Sequence, residues 1–259
     1  MIGGQLKIDI RRKRILEQLR LERKVSVSQL SRMLGVTPVT VRNDLATLEQ
    51  EGQLVRIQGG AIQVPGADVF SAAQTLSVAC SREKQAIAQV AARQVQDGDT
   101  LFINSGTTTE YVAEALRSRR NLNIVTNSLA VAKKLGAIAT FRVLLIGGEI
   151  NAQYGFTHGG DAQEQLMRYQ ADWAILSVDG IAAEGGITTY HAEEAIIDRM
   201  MLRGAKKAMI VADHNKIGRT GFTRVCDCTA DICLVTDGGQ VAALSALADM
   251  GVKILHPKK

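Results

Sequence analysis

No apolar run in the 259-residue chain reaches the roughly 18–20 residues that a membrane-crossing helix requires. The opening residues, MIGGQLKIDIRRKR, hold no apolar stretch ahead of a cleavage site, so no secretory leader is expected and the expected compartment is the cytoplasm. Cysteine is scarce. Cys80, Cys226, Cys228 and Cys233 are the only four, and the last three follow C-x-C-x4-C. That spacing is neither a C-x2-C pair nor a repeated zinc pattern, so the thiols read as reduced, packed side chains rather than as a metal or redox site built with His214. No metal and no cofactor is expected. Internal repeats and low-complexity tracts are missing as well, and the length suggests two domains.

Charge is absent from one part of the chain in net terms. Residues 65–259 hold 20 Lys and Arg against 20 Asp and Glu, whereas residues 1–64 hold 11 against 6. The whole formal excess of +5 sits in the first quarter of the chain. A small basic module beside a neutral one points to a polyanionic partner for the module alone.

Within that module, residues 7–24 read as a helix, with Ile8, Ile15, Leu16 and Leu19 as its apolar stripe among basic residues. A second, short helix follows, capped by Ser26 or Ser28 and ended by Gly35. Thr37-Pro38 then opens a third: Thr37 suits the N-cap, and Pro38 suits the first helical position, where no N–H is needed. Val41, Leu45 and Leu48 are spaced to face a core, which turns Thr40, Arg42, Asn43 and Thr47 elsewhere. QLVRI and AIQV around Gln58-Gly59-Gly60 read as a β-hairpin. Three helices and a hairpin make a winged helix-turn-helix over 1–64. A helix-turn-helix reads DNA with the N-terminal end of its second motif helix in the major groove. Thr37, Thr40 and Asn43 can bond bases or phosphates there, and Arg42 can hold a phosphate or a guanine edge. Ser28, Arg11, Arg12 and, in the wing, Arg56 are candidates for backbone contacts.

Residues 65–80, beginning Pro65-Gly66-Ala67-Asp68, read as a linker. From residue 81 apolar strand candidates (100–104, 123–126, 142–147, 173–178, 208–212, 232–236 and 252–256) alternate with amphipathic helices (83–96, 108–118, 128–136, 193–205 and 239–249). The order predicts an α/β domain over 81–259, a mostly parallel sheet with helices on both faces. Such sheets bind ligands at the carboxyl ends of their strands. One strand end is rich in hydroxyls: Ser105-Gly106-Thr107-Thr108-Thr109, with a helix starting at once. A strand-to-helix turn aims free N–H groups and the positive end of a helix at one point, which suits a phosphate. It is not a Walker loop, because no G-x4-G-K-[ST] is present. Gly147-Gly148, Asp179-Gly180 and Lys216 lie at three further strand ends, and Glu193 starts a helix nearby. All are candidates for a shared polar pocket.

The residues carry a resemblance. Gly35-Val36-Thr37 followed by Thr40-Val41-Arg42-Asn43-Asp44-Leu45, with Val55-Arg56-Ile57-Gln58-Gly59-Gly60-Ala61, resembles the DeoR family of bacterial transcriptional regulators. R-E-K at 82–84, N-S-G-T-T at 104–108, T-N-S at 126–128, G-G at 147–148, D-G at 179–180, E-E-A at 193–195 and A-D-x-x-K at 212–216 extend the similarity over nearly the whole chain. Pro38-Val39 and Asn43 depart from the residues common in relatives, so no operator sequence carries over. The resemblance implies a repressor of a carbohydrate operon, a phosphorylated sugar or polyol as effector, and an effector domain akin to ribose-5-phosphate isomerase. It also implies double-stranded operator DNA bound by a homo-dimer or homo-tetramer. The related deaminases place histidine after Asp-Gly, and this chain has Ile181 there, which cannot transfer a proton. No enzymatic activity is therefore expected. His191, Glu193 and Glu194 remain nearby, and they are expected to contact ligand hydroxyls or to sit at the helix start, where acids are favoured.

Overall fold

The computed structural model describes residues 2–22, 24–50, 53–62, 81–152 and 154–257. The expected linker, and Cys80 with it, lies outside them. Two compact units emerge, Met1–Ala79 and Cys80–Lys259.

In the first unit, α1 (Ile2–Glu22), α2 (Val27–Leu34) and α3 (Pro38–Gln50) surround a core of Ile15, Leu19, Leu30, Val41, Leu45 and Leu48, each at most 1% exposed. Ser26 is the cap of α2, its Oγ accepting from the Gln29 N–H at 3.1 Å. Gly35 closes that helix in the left-handed conformation at φ 64°, where a residue without Cβ is favoured. Thr37 Oγ1 accepts from the Thr40 N–H at 3.2 Å and so starts α3. The hairpin is β2 (Val55–Ile57) and β3 (Gly60–Ile62), turning at Gln58-Gly59. A strand that the sequence did not announce, β1 (Lys24–Ser26), pairs antiparallel with β3 and makes the wing three-stranded.

The second unit is built on a seven-stranded sheet, parallel throughout. Its strands in chain order are β4 (Thr100–Ile103), β5 (Asn123–Thr126), β6 (Arg142–Leu145), β9 (Ala171–Ser177), β12 (Ala205–Val211), β14 (Ile232–Val235) and β15 (Lys253–Leu255). Helices α4 (Ser81–Gln94), α5 (Thr107–Leu116) and α6 (Leu129–Leu135) share one apolar cluster with Leu101, Ile103, Ile175 and Val235. Helices α7 (Gly160–Leu166), α8 (Ala192–Arg203) and α9 (Val241–Asp249) share the other with Phe102, Ala174, Leu176 and Leu234. Alternate residues of each strand thus enter opposite clusters. This is why the strands read as unbroken apolar runs. The seven expected strands and five expected helices all form.

Spatial order runs β15-β14-β12-β9-β4-β5-β6. From β4 the chain moves outward through β5 and β6; from β9 it moves the other way through β12, β14 and β15. The order therefore reverses between β4 and β9, and the chain leaves their carboxyl ends toward opposite faces of the sheet, to α5 and to α8, the switch point at which such sheets open a crevice. Shorter strands decorate that end: the hairpin of β7 (Glu149–Asn151) and β8 (Phe156–His158), and an antiparallel sheet of β10 (Gly180–Ala182), β11 (Gly186–Thr189) and β13 (Thr223–Cys226).

Candidate functional site

The first candidate surface belongs to the basic unit. Val41, Leu45 and Leu48 turn α3 inward, and this phasing leaves Thr37, Arg42 and Asn43 exposed and Thr40 half-buried. Val39 shares the reading end, 61% exposed. Ser28 is exposed on α2, with its Oγ 3.1 Å from Ser26 Oγ. Arg56 extends from the wing and pairs loosely with Glu49 at 3.7 Å. Arg11 and Arg12 have a different environment. Both guanidinium groups engage the buried carboxylate of Asp44, Arg11 through two nitrogens and Arg12 through Nε at 3.3 Å. Arg12 also donates to Thr47 Oγ1 at 3.2 Å. These two cations tie α1 to α3, so their first role is to fix the recognition helix. Asp44 lies inside the sequence signature and on the 41/44/45/48 stripe, so helix phase turns it inward, but nothing local names Arg11 and Arg12 as its partners.

The second candidate is the crevice between β4 and β9. Asn104, fully buried, stitches its walls: its Oδ1 accepts from the Ser177 N–H and its Nδ2 donates to the Ser177 carbonyl and to Asp198 Oδ1, each at 2.9 Å. Gly106 follows at φ 150°, and a Cβ there would lie 2.7 Å from Ser177 Cβ. Glycine thus lets the turn lie flat against β9. The helix α5 starts at Thr107, so the first N–H groups of Thr107, Thr108 and Thr109 have no partner within the helix. The hydroxyls are less available than the sequence suggested. Thr109 Oγ1 lies 3.0 and 2.9 Å from the turn's own carbonyls at Asn104 and Gly106 and gives its one proton to one or the other, and Ser105 Oγ lies 3.3 Å from Glu194 Oε1.

Across the crevice Asp179 follows β9 and meets Lys216 Nζ at 3.2 Å, while its other oxygen accepts from the Tyr190 N–H at 3.0 Å. Lys216 ends a short 3-10 turn begun by the Asp213 cap. The two residues expected to share a pocket are therefore in contact. Gly180 packs against the Arg219 carbonyl, which a Cβ would approach to 2.5 Å. Gly147 and Gly148 are otherwise employed: the Gly147 N–H donates to Gln165 Oε1 at 2.9 Å, and a Cβ on Gly148 would lie 2.3 Å from the His158 carbonyl. Their pairing supports a packing role at the β6 end. Glu193 is exposed on α8, and its neighbour Glu194 is the one that faces the crevice.

Asp198 has no role in the sequence reading, which names Glu194 only beside His191 and Glu193 as a contact for ligand hydroxyls. Burial, and next the negative charge of Asp179, push the Glu194 carboxyl up to about 7, while hydrogen bonds from Thr189 and Ser105 and the charge of Lys216 oppose the shift. Burial and repulsion from Glu194 raise Asp198 well above the ordinary carboxylate range. The helix phase could have found both, since 194, 197, 198 and 201 form one stripe and Ile197 and Met201 are core residues. His191, the α8 N-cap, packs against Tyr154 with ring centroids 4.5 Å apart and the planes tilted by 56°. Ile181 is fully buried in β10 and contributes only packing. Of the three described cysteines, Cys228 and Cys233 are buried and Cys226 is half-buried, and burial pushes the Cys226 thiol up to about 11.

A basic winged helix-turn-helix with an exposed recognition helix, followed by an α/β unit with a polar switch-point crevice, defines a DNA-binding transcriptional regulator. Residues 11–64 match the DeoR-like helix-turn-helix domain and residues 79–238 the DeoR C terminal sensor domain. The chain belongs to the DeoR family. Its relatives include the glycerol-3-phosphate regulon repressor of Escherichia coli K12, 31% identical, with 93% of this chain and 95% of the relative covered. The HTH-type transcriptional repressor CsqR of the same organism is 32% identical over 91% of this chain and 90% of its own. The HTH-type transcriptional repressor GlcR of Bacillus subtilis is 31% identical, with 93% of each covered. Among solved structures, the sorbitol operon regulator SorC from Klebsiella pneumoniae aligns over 90% of this chain and 96% of its own, at 15% identity and a TM-score of 0.43. A ribose 5-phosphate isomerase from Methanocaldococcus jannaschii aligns over 53% of this chain and 55% of its own, at 12% identity and a TM-score of 0.40. No helix among the described residues is long and apolar enough to cross a membrane.

Proposed function

We propose that the protein is a cytoplasmic repressor of a carbohydrate-utilisation operon, released from its operator by a phosphorylated sugar or polyol. The observation that carries the effector assignment is the turn at Ser105–Thr108. It sits at the switch point of a parallel sheet, presents the unpartnered N–H groups of α5, and has the Asp179–Lys216 pair opposite. In this reading the backbone of the turn holds the phosphate, Lys216 supplies a cation, and Asp179 with Glu194 meets hydroxyls. The relative named for the glycerol-3-phosphate regulon supports a phosphorylated polyol as the ligand class.

The regulator binds a two-part operator as a homo-dimer or homo-tetramer, one recognition helix per half-site. Effector binding weakens operator binding only as far as the effector prefers the DNA-incompetent arrangement. Turnover is not part of the proposal, because buried Ile181 offers no proton-transfer group and the relatives are regulators. A thermal-shift screen of phosphorylated sugars and polyols tests the effector class, since a specific ligand stabilises the fold it binds. Stabilisation only by unphosphorylated sugars would overturn it.

Arg42 tests the DNA half. Arg42→Ala is expected to lose about 1–3 kcal/mol of operator affinity if the side chain reads a guanine. If it holds a phosphate, the loss is uniform across sequences and the log–log salt slope becomes shallower by about 0.9. Titrations at several salt concentrations separate the two. Unchanged affinity in the folded variant removes Arg42 from the interface.

A further inference from the structure

The proton count around Thr189 sets a condition on the site. Thr189 Oγ1 lies 2.8 Å from Glu194 Oε2 and 3.1 Å from Asp179 Oδ2. A hydroxyl has one proton to give, so it cannot satisfy two carboxylate oxygens at once. Were both acids ionised, one of these contacts would set lone pairs against each other inside the protein, where an unpaired polar contact is costly. Asp179 already accepts from Lys216 Nζ and the Tyr190 N–H, the surroundings of an ionised carboxylate. Glu194 is the more buried of the two and has no cation in hydrogen-bond reach among the described residues. Its other oxygen, Oε1, is 3.3 Å from Ser105 Oγ in the turn assigned to the phosphate.

We infer that Glu194 is held as a neutral carboxylic acid whose O–H donates to Thr189, which in turn donates to Asp179, and that this neutrality lets the Ser105 turn accept an anion. One arrangement then satisfies every group: Lys216 and Tyr190 donate to Asp179, Thr189 donates to Asp179, Glu194 donates to Thr189, and Ser105 donates to Glu194 Oε1. An ionised Glu194 would place a negative charge directly against the turn, beside that of Asp179, with Lys216 the cation in contact with this pair among the described residues. Asp198, one turn further along α8, adds to the repulsion if charged; it is fully buried, and its Oδ2 has no hydrogen-bond partner among the described residues. Arg199 acts on Asp198 from the same helix. The crevice thus holds one negative charge, that of Asp179, beside Lys216 when empty, and takes further negative charge only from the ligand. The raised carboxyl of Glu194, near 7, agrees with this count. Glu194 is on this account a binding-site residue that couples anion affinity to protonation. This part rests on the phosphate assignment above; the neutral acid does not.

The test uses the full chain with glutamate carboxyl carbons labelled with carbon-13, and inorganic sulfate as the anion. Sulfate keeps its double charge across the range, so the ligand's own titration does not enter. The labelled signal missing from Glu194→Gln belongs to Glu194. Its midpoint is expected near 7, against 4.5 for an ordinary glutamate. Sulfate affinity of the wild type is expected to fall about tenfold from about pH 6 to about pH 8, as the neutral form is depleted. Glu194→Gln keeps the shape and the donor to Thr189, and is expected to hold the low-pH affinity at both. An ordinary midpoint for Glu194 overturns the inference, as does sulfate binding with the same pH dependence in Glu194→Gln. A midpoint near 7 with no sulfate bound at any pH upholds the neutral acid and overturns both its coupling to anion affinity and the phosphate role of the turn.

Discussion

Asp44→Ala is expected to unfold the DNA-binding unit at temperatures where the wild type is folded, while the sensor unit stays intact. The Asp44 side chain is 3% exposed and is shared by Arg11, 16% exposed, and Arg12, 24% exposed. Truncating one partner of a buried ion pair costs about 3–5 kcal/mol, because the remaining charge keeps its desolvation penalty and loses its compensation. Here two guanidinium groups are left, although both retain some access to water, which favours the lower end of that range. The unit's core is small, and a core of this size rarely supplies more than about 3–5 kcal/mol in total. The substitution therefore removes most of what holds α1 against α3. Circular dichroism melting should show loss of the transition of the Met1–Ala79 unit with the transition of the Cys80–Lys259 unit in place, and operator binding should vanish. Melting and operator affinity equal to the wild type would show that the pair is dispensable. Asp44→Asn should fall between, since the amide still offers one acceptor oxygen but no charge.

The same residue marks where sequence reading stops. Thr37-Pro38 and the Val41/Leu45/Leu48 stripe identify α3 because capping and helical phase are local properties, written in neighbouring residues. The Arg11–Asp44 contact joins residues 33 apart, and no local pattern encodes it. Arg11 and Arg12 read as phosphate contacts because a basic run on a helix looks solvated until its partner is known. The sensor unit repeats the lesson. The inner strands of its sheet, β4, β5, β9, β12 and β14, end in apolar runs whose side chains enter both clusters, a pattern visible in the sequence. The strands β1, β7, β8 and β10 have three residues each and lack the flanking turn signal or apolar run that marks the equally short β2, β3 and β15.

The site was legible as a place and less so as chemistry. The rule that α/β sheets bind ligands where strands end singles out the hydroxyl-rich turn and the Asp179 and Lys216 strand ends, and the fold brings these together through Glu194 and Thr189. Which hydroxyl is free depends on packing: Thr109 is consumed within the turn, while Ser105 faces Glu194. Choosing Glu193 over Glu194 was a matter of 100° of helix rotation. Charge decides little in that choice; the neighbours Ala195, Ile197 and Asp198, all fully buried, decide it.

Gly106→Ala is expected to produce a protein that binds its operator normally and no longer responds to effector. A side chain larger than alanine is not needed, because the site of the new methyl is not the ligand space but β9. It would lie 2.7 Å from both Cβ and Oγ of Ser177, and the φ of 150° is one that residues with a Cβ rarely adopt. The strained backbone costs about 1–3 kcal/mol, and forcing a methyl into a packed contact costs about 1–3 kcal/mol more. Ser177 cannot recede, since β9 is paired on both sides, with β4 and β12. The turn must move instead, carrying Ser105 and the first N–H groups of α5 away from Asp179 and Lys216. A displacement that removes even 1.4 kcal/mol of ligand interaction weakens the effector tenfold, and at least that loss is expected here. The DNA-binding surface is in the other unit, so operator affinity without effector should match the wild type. The measurement is operator affinity against concentration of the effector found in the thermal-shift screen. Adding Ser177→Gly to Gly106→Ala removes the atoms that the methyl meets and should restore part of the response, a coupling that a double-mutant cycle reads directly. Release of DNA by Gly106→Ala at the wild-type effector concentration would place the phosphate seat away from this turn. Failure of Ser177→Gly to restore any response would place the fault in the backbone conformation of Gly106 rather than in its contact with β9.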